Sequence, residues 1–330
     1  MDQQNLLYPL LFTPVLKDYI WGGRHLNTML GRPLPAGDIA ESWEIAGHED
    51  GTTVVENGRF AGLPLTELHR QLGPDLIGSR SQWAQDRGKF PLLIKLLDAN
   101  RPLSVQVHPD DAYAQAHEGN ELGKTEMWVV LHAQPDAAII LGVKKQTTPD
   151  IFQQAIRDGK LEPHLHTIPV KTGDAVCVPA GSLHAILAGL LIAEIQQNSN
   201  TTYRVYDWNR LRDGKPRPLH VDKAMDVINF KQVEPQLCVP QLVAKNHGVQ
   251  RYELCRNRYF VTERVEMAAG AVFAGECNGR SFEIWGAIDG NVAVNEVGLT
   301  AVRFTLLPAA LGPFAVTTKT GATLLRTYVP

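Results

Sequence analysis

The sequence has no long apolar run and no excess of basic residues. No stretch of about 18 apolar residues occurs, so a membrane-spanning helix is not expected. Its 32 Lys and Arg are balanced by 35 Asp and Glu, for a formal net charge of −3, which argues against binding to nucleic acid phosphates. The N-terminal residues lack a cationic leader and a small-residue cleavage site, so no signal peptide is expected. These absences favour a cytoplasmic protein that binds a small or neutral partner rather than nucleic acid or a membrane. Either a monomer or a homodimer is expected, since the sequence does not fix the oligomeric state.

Cysteine is also scarce. The four cysteines, at positions 177, 238, 255 and 277, show no C-x-x-C spacing. Such low usage argues against a disulfide-stabilised secreted fold and is typical of reduced thiols in a cytoplasmic protein.

Most of the sequence consists of strand patterns of about four to eight residues, separated by Gly, Pro, Asn and Asp, which is typical of a β-sandwich or barrel. Helical patterns are few. They cover Leu65 to Leu72, the segment after Pro109, Pro149 to Arg157, and Val221 to Ile228. The sequence therefore predicts an all-β scaffold with a few short helices decorating its N-terminal barrel.

A loop-like segment with two prolines, KQVEPQLCVPQ at 231–241, divides the chain. Beyond it only strand-like runs follow, with His247 as the single histidine and no dense polar cluster. We therefore predict a catalytic domain over residues 1–235, with a small helical insertion near 148–168, and a structural C-terminal β domain over 236–330.

The most informative stretch is PLSVQVHPDD at 102–111, where Ser104, Gln106 and His108 alternate with apolar residues. Because side chains of a strand alternate between its faces, this puts a hydroxyl, an amide and an imidazole in one row. Gln106 and His108 can then chelate one metal ion. The alternative is a half-exposed strand with its polar side chains in water.

A second strand pattern, GKTEMWVV at 123–130, places Lys124 and Glu126 on one face. Glu126 would add a carboxylate to the imidazole of His108. The alternative is a surface salt bridge.

A third segment, GDAVCVPAGSLH at 173–184, has Gly173, Pro179, Gly181 and His184 at fixed spacings. It resembles the second sequence motif of cupins, which implies that a strand delivers His184 into a barrel. The asparagine usual in that family four residues later is Ala188 here, but that position is not a ligand.

The first cupin motif is present in altered form, with Gln106-x-His108 in place of His-x-His and a glutamate 18 residues after the histidine. This set resembles the type I mannose-6-phosphate isomerases. Further segments carry the resemblance: WGG at 21–23, ESWE at 41–44, FPLLIKLLDA at 90–99, KTEMW, PAGSLHAI and QQNSNTTYRVYDWNR.

The resemblance implies a cupin-type double jelly roll that holds one Zn²⁺ per chain through four ligands: Gln106, His108, Glu126 and His184. It also implies reversible conversion of D-mannose 6-phosphate to D-fructose 6-phosphate through a zinc-stabilised cis-enediol(ate). Mixed nitrogen and oxygen ligands suit zinc and leave positions for water or substrate.

Three residues are candidates for catalysis. Lys124 shares the strand face of Glu126, and family resemblance puts a functional lysine there. The run LLIAEIQQN at 190–198 alternates so that Glu194 faces the cavity, and Arg204 follows ten residues later, as in related enzymes. An arginine can bind an oxyanion or a phosphate through two hydrogen bonds. The alternative for Lys124 and Arg204 is a structural ion pair.

Three further residues are candidates for substrate binding. Trp43 resembles a family tryptophan near the sugar, and Ser104 is a candidate phosphate contact, although both are compatible with a core position. Asn200 stands where related sequences often have aspartate, and asparagine is neither acid nor base at neutral pH. This substitution leaves open an alternative function, a catalytically reduced cupin that binds a metal and a sugar phosphate.

Overall fold

The computed structural model describes residues 7–212 and 214–330. The strands, in chain order, are β1 Phe12–Thr13, β2 Val15–Lys17, β3 Glu41–Ile45, β4 Gly47–His48, β5 Gly51–Thr52, β6 Val54–Val55, β7 Leu92–Ala99, β8 Val105–Val107, β9 Glu126–Ala133, β10 Ala138–Val143, β11 Leu165–Pro169, β12 Ala175–Val178, β13 His184–Ile186, β14 Leu190–Gln197, β15 Tyr203–Tyr206, β16 Leu211–Arg212, β17 Lys215–Pro216, β18 Gln241–Asn246, β19 Val249–Arg256, β20 Val261–Met267, β21 Val272–Cys277, β22 Glu283–Gly290, β23 Val292–Val294, β24 Val297–Leu299, β25 Arg303–Leu307, β26 Gly312–Thr317 and β27 Ala322–Tyr328.

The helices are short. They are α1 His25–Thr28, α2 Leu65–Leu72, α3 Pro74–Ile77, α4 Gln82–Gln85, α5 Asp111–His117, α6 Pro149–Arg157 and α7 Val221–Val227, with 3₁₀ turns at Gly58–Phe60, Ser79–Ser81 and Glu162–His164. None of the helices in the described residues is long and apolar enough to cross a membrane. The predicted predominance of strands is confirmed.

The four predicted helices are present as α2, α5, α6 and α7, and their N-terminal residues explain two of them. The hydroxyl of Thr148 accepts a hydrogen bond from the Ile151 N–H at the start of α6, and Asp110 accepts one from the Tyr113 N–H at the start of α5. The end of the predicted helical insertion is different. Residues 165–169 form strand β11 because they pair with β10.

The chain divides into two compact units. The C-terminal unit holds residues 43–94 and 238–330 together with the segment that ends at Val15, and the central unit holds residues 16–42 and 95–237. The chain passes from the central unit to the C-terminal unit at 237/238, two residues after the domain boundary predicted at 235/236. Residues 43–94 group with the C-terminal strands because their backbone bonds to them, for example Arg80 N–H to the Arg280 carbonyl at 2.9 Å.

The C-terminal unit is built on two sheets, one in the order β18-β19-β20-β27-β22-β25 and one in the order β21-β26-β23-β24. Val265, Trp285, Phe314, Val316 and Leu324 belong to one apolar core drawn from both sheets. This is the arrangement of a sandwich closed around its own side chains.

The central unit also draws on two sheets, in the orders β11-β10-β13-β8-β15 and β12-β9-β14-β7-β3-β2. The division of the chain into units falls within β2, β3 and β7 of the second sheet. Trp128 and Ile192 of the second sheet pack with Ile186 of the first in one core. The opposite face of the first sheet packs Val105 and Val107 in a core that also contains residues of α6 and α7. Side chains that alternate with those two valines on β8 therefore point between the sheets.

The cysteines differ from expectation. Cys277 is a free thiol, whereas Cys177 and Cys255 are disulfide-bonded. The expectation of reduced thiols is therefore wrong for these two residues.

Candidate functional site

Strand pairing brings the predicted metal ligands together. His184 of β13 stands opposite Gln106 of β8, and Arg204 of β15 stands opposite the same Gln106 on its other side. Gly181 has φ 84°, and its N–H donates to the His108 carbonyl at 2.8 Å. This left-handed conformation favours glycine. The hydrogen bond connects the turn before His184 to the residue that follows β8.

Three of the predicted ligands form one buried cluster. Nε2 of His108 lies 3.5 Å from Glu126 Oε2, and Nε2 of His184 lies 3.4 Å from Glu126 Oε1. Possible ligand atoms of all three residues fall within 4.8 Å of one another. The arrangement can hold a metal ion.

The imidazoles are held in the form that a metal requires. Nδ1 of His108 donates to the Thr201 carbonyl at 2.8 Å, and Nδ1 of His184 donates to the Ser182 carbonyl at 2.9 Å. Since each Nδ1 carries the proton, each Nε2 presents a lone pair. Burial lowers the pKa of His184 to about 4 and holds the pKa of His108 well below its usual value. Both rings are therefore neutral near pH 7.

The cluster fits a cation because two of its electron-rich atoms face each other. His108 Nε2 and Glu126 Oε2 are buried, and neither has a hydrogen-bond partner. Unsatisfied buried polar atoms are rare in folded proteins. A cation between these atoms would satisfy both, and nitrogen and oxygen donors suit a divalent transition metal.

Gln106 borders this cluster. Its Nε2 lies 3.4 Å from His184 Nε2, and its Oε1 accepts a hydrogen bond from the Ser104 hydroxyl at 3.1 Å. A metal binds an amide through its oxygen, so Gln106 would join the ligand set by turning its terminal amide over. Its ligand role stays a prediction.

One cavity in the central unit collects most of the other predicted residues. Ser104, Lys124, Glu194, Asn200 and Arg204 all line it, together with Gln106. Lys124 Nζ also lies 3.3 Å from Glu126 Oε2. The cavity therefore adjoins the metal cluster through Gln106 and Lys124.

Trp43 is placed differently. It is fully buried in the C-terminal unit, where it packs with Ala46 and Leu93. Its predicted role in substrate binding stays a prediction.

Glu194 is a buried carboxylate with two defined partners. The Trp128 indole N–H donates to Oε2 at 3.0 Å, and Lys95 Nζ lies 3.6 Å from Oε1. Burial, followed by the negative charge of Glu126, raises the pKa of Glu194 to about 7. Glu194 can therefore hold or release a proton near neutral pH.

Several residues that line the cavity were not predicted from the sequence. They are Tyr19, Trp21, Glu41, Lys95, Leu97, Leu103, Thr202 and Arg217. A signal existed for Lys95, because it is the single basic residue in the apolar run LLIKLLDA and a buried lysine needs charge partners. Its Nζ lies 3.3 Å from Glu41 Oε2. Burial lowers the pKa of Lys95, but the carboxylates of Glu41 and Glu194 outweigh this effect and raise it.

Arg204 differs from the cavity lysines because it has no carboxylate partner. Within the described ranges, no carboxylate oxygen lies within 4.0 Å of its guanidinium, and its Nε is buried without a hydrogen-bond partner. Burial, and then the charge of Arg217, lower the pKa of Arg204. Arg204 is therefore a cation available to an anion in the cavity.

Known proteins resemble this chain over most of its length. A family model for the catalytic domain of type I phosphomannose isomerase matches residues 10–135. The Bacillus subtilis protein named "Probable mannose-6-phosphate isomerase GmuF" is 36% identical over 316 residues, covering 94% of this chain and 96% of the relative. Mannose-6-phosphate isomerase ManA of the same organism is 44% identical over 229 residues, or 68% of this chain and 69% of the relative.

Solved structures agree. The crystal structure of mannose 6-phosphate isomerase from Bacillus subtilis matches with a TM-score of 0.85 at 32% identity, covering 97% of this chain and 99% of that chain. A phosphomannose isomerase variant from Salmonella typhimurium shares the fold, with a TM-score of 0.75 at 15% identity and coverage of 97% and 99%. The predicted cupin fold is confirmed. The chain belongs to the type I mannose-6-phosphate isomerase family.

Proposed function

We propose that the protein interconverts D-mannose 6-phosphate and D-fructose 6-phosphate, an aldose–ketose isomerisation. The observation that carries the proposal is the adjacency of a buried His–Glu–His cluster to a cavity lined by Lys124, Glu194 and Arg204. We also propose the cytoplasm as its compartment.

The metal in this proposal is zinc, one ion per chain, held by His108, Glu126 and His184 with Gln106 as the fourth ligand. Neutral imidazoles and one carboxylate leave the centre with a net positive charge. When bound, the ion would act as a Lewis acid that polarises the substrate carbonyl and favours a cis-enediolate.

Isomerisation moves a proton between C2 and C1 and another between the adjacent oxygens. Glu194 is our candidate for the carbon-bound proton, because its carboxylate is fixed by Trp128 and Lys95 and its pKa lies near 7. Lys124 is our candidate for donating to the O1 or O2 oxygen, since it lines the cavity beside the metal cluster.

The remaining cavity residues would bind the substrate. Arg204, which has no carboxylate partner among residues 7–212 and 214–330, can bind an oxyanion or the phosphate. The hydroxyl of Ser104 and the amide of Asn200 offer neutral hydrogen bonds. Asn200 carries no proton at neutral pH that it can transfer. The proton chemistry is therefore assigned to Glu194 and Lys124.

The alternative, a cupin that binds metal and sugar phosphate without turnover, depends on Asn200 alone. It is not favoured, because relatives up to 44% identical are named mannose-6-phosphate isomerases. The enzyme and the binding protein differ in one measurable property, which is turnover.

A coupled assay that reports fructose 6-phosphate is the direct test. We expect turnover of mannose 6-phosphate by the purified protein, loss of turnover on chelation, and recovery when zinc is added back. Chelation should also lower the melting temperature, because an ion that binds only the folded chain stabilises it. Protein that binds zinc and mannose 6-phosphate without turnover would contradict the proposal. Recovery with iron but not with zinc would contradict the assignment of the metal.

Trp128→Phe tests how Glu194 is held. The change removes the indole N–H that stabilises the Glu194 carboxylate, so the pKa of Glu194 should rise further. A hydrogen bond to a charged group is worth about 1.5–3 kcal/mol, or about one to two pKa units. We therefore expect the acid limb of the pH profile of kcat/KM to move about one to two units to higher pH, and kcat/KM below that limb to fall at least about 10-fold.

Trp285→Phe is a matched control, because the Trp285 indole N–H donates to buried Glu283 at 2.9 Å in the C-terminal unit. It should cause a similar loss of packing but leave the pH profile unchanged. Equal pH profiles for the two variants would contradict the role given to Trp128.

A further inference from the structure

A second arginine lines the cavity beside Arg204. Arg217 follows strand β17 directly, and its side chain contributes to the cavity wall together with Arg204 and Thr202. We propose that Arg217 is a specificity-determining residue that binds the substrate phosphate together with Arg204. The proposal rests on the proposed function and identifies the subsite that selects phosphorylated sugars.

Arg217 is fixed by one buried carboxylate. Its Nε donates to Asp207 Oδ2 at 2.8 Å and its Nη2 donates to Asp207 Oδ1 at 2.5 Å. This contact uses one edge of the guanidinium and leaves Nη1 for another acceptor. A planar group held on one edge is preorganised to bind an oxyanion with its remaining donors.

Asp207 does not neutralise this part of the cavity. The same carboxylate also accepts a hydrogen bond from Arg210 Nη2 at 2.5 Å, so one negative charge is shared between two arginines. Arg204 adds a third cation, and no carboxylate oxygen of the described residues lies within ion-pair distance of it. These four side chains together carry about two positive charges. Only Arg204 and Arg217 line the cavity, so these two would contact a phosphate monoester, which carries about −1.5 to −2 at pH 7.

The other cations of the cavity are already balanced. Lys95 lies within ion-pair distance of Glu41 and Glu194, and Lys124 lies within ion-pair distance of Glu126. The lowered pKa of Arg204, due to burial and then to the charge of Arg217, agrees with a second guanidinium group near it, and the opposing charge of Asp207 does not outweigh these effects. The arginine pair is therefore the part of the cavity where an anion is most stabilised.

This pairing would discriminate between sugars by charge. A neutral hexose brings no charge to the two guanidinium groups, which then stay partly desolvated without a counter-ion. A hexose 6-phosphate supplies the counter-ion and accepts several charge-assisted hydrogen bonds. The contact lies at the phosphate and is the same in substrate and transition state, so its loss should raise KM more than it lowers kcat.

The test compares Arg217→Gln with Arg210→Gln. Both arginines bind Asp207, but only Arg217 lines the cavity, so Arg210→Gln is the matched control. For Arg217→Gln we expect KM for mannose 6-phosphate, and the inhibition constant of inorganic phosphate, each to rise at least about 10-fold, with kcat within about 3-fold of wild type. Arg210→Gln should change each constant less than about 3-fold.

Arg217→Lys provides a second variant that keeps the positive charge. It should recover most of the phosphate inhibition that Arg217→Gln loses, while zinc content stays equal in all variants. An unchanged phosphate inhibition constant in Arg217→Gln, or equal effects of the Arg217 and Arg210 variants, would overturn the proposal.

A binding experiment distinguishes failure of the isomerase proposal from failure of the phosphate subsite. If the wild-type protein shows no turnover, titration calorimetry with mannose 6-phosphate and inorganic phosphate still compares wild type with Arg217→Gln. Weaker binding by the variant would then support the phosphate subsite although the isomerase proposal fails. Equal binding would overturn the subsite as well.

Discussion

Replacement of His184 by alanine is expected to remove the metal and to lower kcat/KM for mannose 6-phosphate more than about 1,000-fold. His184 is buried, its Nδ1 proton is committed to the Ser182 carbonyl, and its Nε2 lies 3.4 Å from Glu126. Elemental analysis should find about one zinc per chain in the wild type and less than about a tenth of that in the variant.

His69→Ala separates loss of metal from loss of a buried histidine. His69 is also buried and hydrogen-bonds to Gln85 at 2.9 Å, but it belongs to the C-terminal unit. This control should lose some stability and keep its zinc and its turnover number. Full zinc occupancy in His184→Ala would contradict the assignment of the cluster as the metal site.

Glu194→Gln is expected to lower kcat by about 100- to 10,000-fold without changing the zinc content, which is the range for loss of a general acid or base. Glutamine keeps the shape of the side chain and can still accept the Trp128 N–H, but it cannot take a proton. Glu283→Gln is the matched control, since Glu283 is a buried carboxylate with the same kind of tryptophan partner. It should leave kcat unchanged in protein that remains folded.

The pH profiles of kcat/KM for the wild type and for Glu194→Gln test the same assignment independently. The base must be ionised, so kcat/KM should fall as pH decreases through the pKa of Glu194, which burial and then Glu126 raise to about 7. A cation bound at Glu126 removes the second of these influences and moves the limb to lower pH. Glu194→Gln should lack this limb. An acid limb that persists in the variant, with kcat near that of the wild type, would assign the proton transfer to another group, with Lys124 the next to test.

Much of this site could be predicted from the sequence because β-strands alternate. The spacing of Gln106 and His108 in an otherwise apolar strand fixes which side chains share a face, and the structure places His108, Glu126 and His184 in one cluster. The same alternation put Glu194 on the face that lines the cavity. Helices α2 and α6 were also predicted, since their boundaries depend on residues next to them in sequence.

The remaining cavity residues and the position of Trp43 depend on which strands and sheet faces pack together. The alternation of side chains within one strand does not reveal this packing. Lys95 and Glu41 come from distant segments and are brought together by the pairing of β7 with β3, whereas Arg217 is held at the cavity by its contact with Asp207. Trp43 lies in an apolar core of the C-terminal unit, a placement that its own strand pattern does not distinguish from a sugar contact.

The protonation of His108 and His184 also depends on tertiary contacts. The imidazoles of His108 and His184 present Nε2 to Glu126 because the carbonyls of Thr201 and Ser182 take their Nδ1 protons. The sequence by itself determined the kinds of ligand and their order along the chain. Tertiary structure alone decided their tautomers, their burial and the neighbours that set their charge, because these follow from contacts between residues far apart in sequence.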